Sequence, residues 1–332
     1  MRLRRTSGRF PRGSKMEEKS ILLVGEPMGL FIAKTEGAFE DVNEYAVATC
    51  GAEFNVAIGL TRLGHMASYL TKLGPDPFGK RIVKQMKAEG IATDDILYDE
   101  TLRTGFMLKG STSVGDPSIY YFRAGSAAST LCPDDVAGLD FSKFSMIHMT
   151  GITPALSDST RAVCRFLAAK AHELGIFLSF DPNLRPQLWP RREVMAEWLN
   201  EFAAQCDLFL PGVAEGKLLA GIEDPVEIAA HYRGLGAKNV VVKVGGEGAY
   251  FDSADEGCAL VPGFHVSHIV DTVGAGDGFA AGVLSARAEG LSWYDSVRRG
   301  NAIGAIQIMS VGDNDGLPTR AELEKFMETD EH

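Results

Sequence analysis

The sequence predicts an α/β protein built on a doubly wound, mostly parallel sheet flanked by helices, with a small β-sheet beside it as a lid. Three observations carry this expectation. From about residue 140 onward, apolar runs of strand length alternate with stretches of helical spacing. A first apolar run at 21–24 ends on Gly25, the pattern of a buried strand meeting its turn. Two stretches, 28–49 and 104–123, break into short, roughly alternating segments that read as antiparallel strands set apart from the main layer.

The elements follow in order. Residues 55–63 and 78–89 have helical spacing, and 145–149 reads as a strand. Ala162, Val163, Phe166, Leu167, Lys170, Ala171 and Leu174 mark an amphipathic helix that stops at Gly175. A strand at 176–180, a helix at 193–202, a strand at 207–210 and a helix at 225–232, with Pro in its first turn, come next. The β-branched run at 239–244 suits the core of a parallel sheet, whose ligands bind beyond the carboxyl ends of the strands. These elements make one domain over 20–325, preceded by a basic, disordered tail at 1–19 and followed by a short tail at 326–332.

Charge narrows the function classes. The 332 residues hold 44 acids against 33 Lys and Arg, a net −11, which excludes a nucleic-acid binder held by summed charge. Six basic residues and no acid fall within the first fifteen, so the remainder carries −17. No run approaches the ~20 apolar residues that span a bilayer, so no membrane partner is expected. The five cysteines are far apart, with no C-x-x-C pair, and read as small buried side chains of a reducing, cytoplasmic compartment.

Chemistry concentrates in 271–284, DTVGAGDGFAAGVL, a Gly-rich turn running into a small-residue helix. Gly274, Ala275 and Gly276 present successive backbone N–H groups at a helix N-terminus, which favours an anion. Asp277 sits in the middle of that positive site, where a carboxylate has a purpose if it handles a proton. The pairing suits phosphoryl transfer: amides stabilise charge on the moving group while the carboxylate takes the proton of the attacking hydroxyl. The segment is not a Walker A loop, since no Gly-Lys-Ser/Thr follows at the required spacing. It is a poor dinucleotide fingerprint as well, with Phe279 at the third small position. Close helix packing accounts for Ala280, Ala281 and Gly282 but leaves Asp277 unexplained.

The same segment resembles the C-terminal signature of the ribokinase-like (phosphofructokinase-B) carbohydrate kinases, and three further motifs agree in the family's order. Gly51-Ala52-Glu53-Phe54-Asn55 resembles the sugar-binding Gly-Ala-x-x-Asn motif, residues 74–79 the Gly-x-Asp-x-x-Gly turn, and residues 243–248 the Lys-x-Gly-x-x-Gly nucleotide loop. Within the family, Tyr120-Tyr121-Phe122-Arg123 with Gly125-Ser126-Ala127, residues 150–156, Asp181-Pro182-Asn183-Leu184-Arg185, and Gly312-Asp313 before Gly316-Leu317-Pro318 are most similar to 2-keto-3-deoxygluconate kinases.

The resemblance implies an ATP-dependent kinase acting on the primary 6-hydroxyl of 2-keto-3-deoxygluconate, a small-molecule partner, in a homo-oligomer. It implies that Asp277 is the base and the amides of Gly274, Ala275, Gly276 and Asp277 the anion hole. Gly51, Asn55, Tyr121, Arg123, Arg185 and Asp313 would line the sugar site. Lys243, Gly245, Gly248 and Asn301 would flank ATP, and Glu215 would serve Mg²⁺ through water. A monovalent cation such as K⁺ fits the family as well. A sugar acid meeting an acidic protein needs placed cations, and the planar guanidinium of Arg123 or Arg185 suits a carboxylate best. Two positions depart from the pattern: Gly212 replaces the Asn of Asn-x-x-Glu, and Met107 stands where a Tyr is usual. The alternatives are a kinase of fructose, ribose or 5-keto-2-deoxygluconate, or a non-catalytic sugar-binding protein on the same fold. His148 reads as a core residue, and Trp189 and Trp198 as helix packing.

Overall fold

The computed structural model describes residues 19–112, 117–266, 268–310 and 312–329. The tail read at 1–19 lies, apart from Lys19, outside the described residues, as do 330–332. The strands in chain order are β1 (Ser20–Val24), β2 (Met28–Glu36), β3 (Tyr45–Cys50), β4 (Ala67–Leu73), β5 (Ile96–Tyr98), β6 (Phe106–Ser111), β7 (Ile119–Phe122), β8 (Phe144–Thr150), β9 (Phe177–Asp181), β10 (Leu208–Phe209), β11 (Asn239–Lys243), β12 (Gly248–Ser253) and β13 (Gly257–Pro262). Nine form one sheet in the order β13-β12-β11-β10-β9-β8-β1-β4-β5, and four form a second in the order β3-β2-β6-β7. From β5 to β11 every neighbouring pair is parallel, and the β11–β12 and β12–β13 pairs are antiparallel, so β12 runs against the other strands of this sheet.

Side-chain alternation along β1 explains the layering. Ile21 and Leu23 enter one core with Phe54 of the helix Ala52–Arg62, Val283 of the helix Ala275–Ala288 and Val297 of the helix Trp293–Gln307. Leu22 and Val24 enter the opposite core with Leu167 of the helix Asp158–Leu174, Leu199 of the helix Arg192–Ala203 and Ile228 of the helix Pro225–Leu235. A strand buried on both faces must be apolar throughout, as 21–24 is. Each such side chain contributes about 1.5–3 kcal/mol by its burial. Local signals set the helix ends. Asp76 accepts N–H bonds from Phe78 and Gly79, both 2.9 Å, ahead of Pro77 at the first turn, and Gly175 closes its helix at φ 65°.

The chain fills β4 and β5 on one side of β1 and β8 to β11 on the other, so the strand order reverses at β1. The carboxyl ends of β1, β8 and β9 therefore open on a common crevice, where ligands of such sheets bind.

Several details differ from the sequence-based expectation. The central pair of the small sheet, β2 and β6, is parallel, from Gly29 opposite Phe106 to Ile32 opposite Lys109. Between them the chain passes through β4 and β5 of the main sheet, so β6 re-enters in the direction of β2 instead of returning as a hairpin. The β12–β13 hairpin beyond Lys243 went unread, because the glycines before it mask a strand pattern. The helix Arg320–Thr329 runs past residue 325, and the Phe326 ring lies 5.3 Å from that of Phe264, so the body extends to 329 and the tail boundary at 326 is corrected. Of the cysteines expected to be buried, Cys258 is exposed, facing outward on the edge strand β13, and Cys132 is half-buried; all five thiols are free. His148 is fully buried in β8, with Nδ1 3.0 Å from Ser179 Oγ, and burial pushes it down to about 4, so it is a neutral core residue. Among the described residues no helix is long and apolar enough to cross a membrane.

Candidate active site

The inner face of the small sheet, carrying Met28, Leu30, Cys50 and Met107 with Tyr121 packed against them, covers a cavity of about 410 Å³ over the carboxyl ends of the main sheet. The opposite face of the small sheet gathers Phe31, Phe106 and Phe122, with Phe106 and Phe122 stacked at 4.5 Å. A second cavity of about 370 Å³ adjoins the first, sharing Lys243, Thr272 and Gly276 in its walls.

Asp277 stands in the first turn of the helix Ala275–Ala288, whose N-cap, Gly274, adopts φ 80°. That left-handed conformation suits glycine, and a Cβ there would also strike the carbonyl oxygen of Asp313. Asn55 Nδ2 donates to Asp277 Oδ2 at 2.8 Å and Asn183 Nδ2 to Oδ1 at 3.4 Å. Loss of hydration pushes the Asp277 carboxyl up to about 8; the Asn55 bond opposes this, Asp181 adds to it and Arg185 opposes it. A carboxyl held near neutrality beside a helix N-terminus is poised to exchange a proton with a hydroxyl.

The first cavity brings together Gly51, Asn55, Tyr121, Arg123, Arg185, Asp313, Glu215, Lys243 and the 274–277 turn. Gly51 has φ 151°, and its Cβ would crowd Pro27 Cα at 3.1 Å, so a side chain is excluded where the helix Ala52–Arg62 begins. The two arginines differ in state. Arg123 is buried and bonded through Nε to Glu26 Oε2 at 2.7 Å, with Nη2 2.6 Å from the same oxygen; its guanidinium also lies 5.4 Å from the Tyr121 ring centre. It arrives at the cavity already neutralised. Arg185 donates to the carbonyl oxygens of Leu184, at 2.9 Å, and Asn183 and forms no salt bridge among the described residues, though its charge favours the ionised form of Asp277. Asp313 is paired with Lys109 Nζ at 3.3 Å.

The second cavity has a glycine-rich wall, with Gly245, Gly246 and Gly248, and an apolar wall, with Phe264, Phe279 and Ile308. Such a slot fits a flat heteroaromatic ring. Asn301 lines it and is not solvent-facing: its Nδ2 bonds the carbonyls of Val261 and Pro262, both at 3.0 Å. Lys243 Nζ stands at the junction, 2.6 Å from Asp181 and 4.0 Å from Glu215. Burial works against its charge, but the two carboxylates outweigh that and hold its pKa above the ordinary lysine value.

Glu215 accepts the Gly212 N–H at 2.7 Å and the Leu184 N–H at 3.0 Å, one on each oxygen. Burial raises its pKa, Lys243 opposes this and Asp181 adds to it. With both oxygens already bonded, it fits a metal reached through water better than one bound directly. Gly212 still donates its N–H, so the departure from Asn removes only a side chain; a Cβ would fit there in ordinary contact with Glu215 Oε2 at 3.5 Å and Lys243 O at 3.9 Å. Met107 is buried opposite Tyr121, making an apolar patch where a phenol is usual.

Sequence reasoning assigned no role to Glu26, Lys109, Asp181, Asn183 or Asn314. Asp181 and Asn183 lay within a quoted motif; Asn183, at φ 34°, is the one non-glycine with positive φ among the described residues. Lys109 carried a signal too, as a charge sharing the inward face of β6 with Met107.

A family model described as pfkB family carbohydrate kinase matches residues 18–320. The chain is 42% identical over 305 residues to 2-dehydro-3-deoxygluconokinase of Bacillus subtilis (strain 168), covering 91% of this chain and 94% of that protein. It superposes on the crystal structure of a PfkB protein from Polaromonas sp. JS666 with a TM-score of 0.84 at 42% identity, over 92% of this chain and 99% of that one. A sugar kinase from Pyrococcus horikoshii, solved in complex with ATP, superposes with a TM-score of 0.79 at 26% identity, over 92% of this chain and 97% of that one.

Proposed function

The chain belongs to the pfkB family of carbohydrate kinases, and from this premise we propose that it transfers the terminal phosphoryl group of ATP to the primary 6-hydroxyl of 2-dehydro-3-deoxygluconate. The observation that carries the reading is Asp277, held by Asn55 at 2.8 Å on the wall of the larger cavity and one residue from Gly276, where the two cavities meet.

In this reading the sugar acid lies under the small sheet, which acts as the lid, and the adenine ring occupies the apolar slot. Asp277 accepts the proton of the sugar hydroxyl as its oxygen attacks the phosphorus in line. The amides of Gly274, Ala275, Gly276 and Asp277 and the ammonium of Lys243 stabilise charge on the transferring group. Mg²⁺ bound with the nucleotide supplies neutralisation of phosphate oxygens, with Glu215 the residue to reach it through water. The substrate carboxylate goes to Arg185, which forms no salt bridge among the described residues, while the Arg123–Glu26 pair offers hydrogen bonds without net charge. The lid excludes water, limiting hydrolysis of ATP. The same reading places the enzyme in the cytoplasm, where ATP is supplied.

The test is an ATP-coupled assay comparing 2-dehydro-3-deoxygluconate with fructose, ribose and 5-dehydro-2-deoxygluconate. A higher kcat/KM on the first is expected, and equal or better activity on a neutral sugar would overturn the specificity.

A further inference from the structure

One buried lysine joins the lid to both loops that shape the anion site. Lys109 projects inward from β6, and its Nζ lies 3.0 Å from Asp271 and 3.3 Å from Asp313. Lys109 and Asp313 are buried and Asp271 is mostly so, at 17% exposure, which strengthens both contacts over those of a surface pair. Asp271 opens the loop that ends at the Gly274 N-cap, and its other oxygen accepts the Val273 N–H at 3.0 Å. Asp313 adjoins Asn314, whose Nδ2 donates to Asn55 Oδ1 at 3.1 Å. That bond decides which end of the Asn55 amide faces Asp277: with Oδ1 occupied by Asn314, Nδ2 is turned to the carboxylate. Gln307 ties the two loops to each other, its Nε2 reaching Val273 O at 3.4 Å on one and Gly312 O at 2.9 Å and Asp313 O at 3.2 Å on the other.

We propose that Lys109 and Asn314 are positioning residues that couple the lid to the base, Lys109 fixing the Asp313–Asn314 turn from the lid and Asn314 fixing the Asn55 amide that holds Asp277. Neither residue needs to touch the reacting atoms. Without the ammonium, Asp271 and Asp313 are left as neighbouring carboxylates with nothing between them, and the turn that carries Asn314 loses its anchor. Without Asn314, the Asn55 amide is free to rotate and present its oxygen to Asp277, which repels the charged base. Both changes act on the same turn, so their effects on turnover overlap.

This inference rests on the sugar-kinase reading of the site, and its test separates the two. Turnover of Lys109→Met, Asn314→Ala and the double variant is measured with ATP and 2-dehydro-3-deoxygluconate, or with whichever sugar of the panel the wild type phosphorylates. Each single change is expected to lower kcat about tenfold while KM for ATP stays within about twofold, and the double variant to fall about as far as either single one. Lys109→Arg, which keeps a cation between the two carboxylates, is expected to restore most of the loss. A double variant about a hundredfold down, the product of independent effects, would overturn the coupling, as would single variants with wild-type kcat. Should Lys109→Met not fold, Lys109→Gln, which keeps a polar group in the site, takes its place in the cycle. A wild type inactive on every sugar refutes the kinase reading, whereas an active wild type with unaffected variants refutes this inference alone.

Discussion

Asn55 Nδ2 donates to Asp277 Oδ2 at 2.8 Å across a sequence separation of 222 residues, joining the first long helix of the chain to the Gly-rich turn near its end. The bond presents a donor to the carboxylate, so it favours the charged form that a base requires, against a burial that disfavours it. Replacing Asp277 by Asn removes the proton acceptor and keeps the shape and the 2.8 Å bond from Asn55, giving up only the longer one from Asn183, since an amide has one accepting oxygen. The expected outcome is a fall in kcat of roughly 10²–10⁴ with ATP affinity preserved, read by coupled assay and by nucleotide titration. Turnover within a few-fold of wild type would reassign the base.

The same carboxyl makes stability depend on pH. In the folded protein Asp277 sits at about 8, against about 3.9 for an unfolded chain, so between those values the native state holds a proton that the unfolded state has lost. Its contribution therefore becomes progressively more destabilising as pH rises through that window and levels off above about 8. Asp277→Asn removes the titration. Its Tm is expected to equal that of wild type near pH 4 and to exceed it by a growing margin up to pH 8, as measured by thermal melts at a series of pH values. A constant or shrinking margin would refute the raised pKa.

The two arginines of the sugar cavity part company on their partners. Among the described residues Arg185 bonds carbonyl oxygens and forms no salt bridge, so Arg185→Ala is expected to leave Tm nearly unchanged. KM for the sugar acid should rise roughly ten- to a hundredfold, the equivalent of about 1.5–3 kcal/mol for a charged hydrogen bond. Arg123 and Glu26 expose 5% and 1% of their side chains, and removing one partner strands the other charge in the interior. Arg123→Met is expected to cost about 3–5 kcal/mol in chemical denaturation, with the double change Arg123→Met and Glu26→Gln recovering much of it. An Arg123→Met protein of wild-type stability would show that Glu26 does not depend on the pair.

Much of this fold was legible because its strands are buried on both faces and its helices on one. Residues 21–24 could be read as a buried strand from apolar content and 239–244 as a parallel-sheet strand from its β-branched run, and Gly175 marked a helix end. The Gly-rich turn was legible because a carboxylate among glycines at a helix start has few structural excuses. Pairings across the chain were not legible. That Arg123 meets Glu26, 97 residues away, is decided by how β1 and the lid come together, and no spacing in the sequence encodes it. The parallel β2–β6 pair was hidden likewise, because a route through the main sheet, and not a turn signal, sets its direction.

Gly274 brings the local and the long-range constraints to one backbone position. Its φ of 80° disfavours any residue with a Cβ, at a cost of order 1–3 kcal/mol. A methyl there would also press on the Asp313 carbonyl oxygen and come within 3.1 Å of Gln307 Nε2, the group that ties the two loops together. Gly274→Ala must therefore either strain the N-cap or push the 312–314 turn away, and both outcomes misplace the amides proposed to stabilise charge on the transferring phosphoryl group. The expected result is a Tm lowered by several degrees and a kcat lowered at least about tenfold, with KM for the sugar less affected, since the change falls on groups that bind most tightly in the transition state. Gly276, by contrast, has no positive φ, and a Cβ there meets only Lys243 Nζ at 3.8 Å, so Gly276→Ala is expected to fold as wild type. If melting and steady-state assays rank the two substitutions the other way round, the N-cap geometry drawn here for the anion site is wrong.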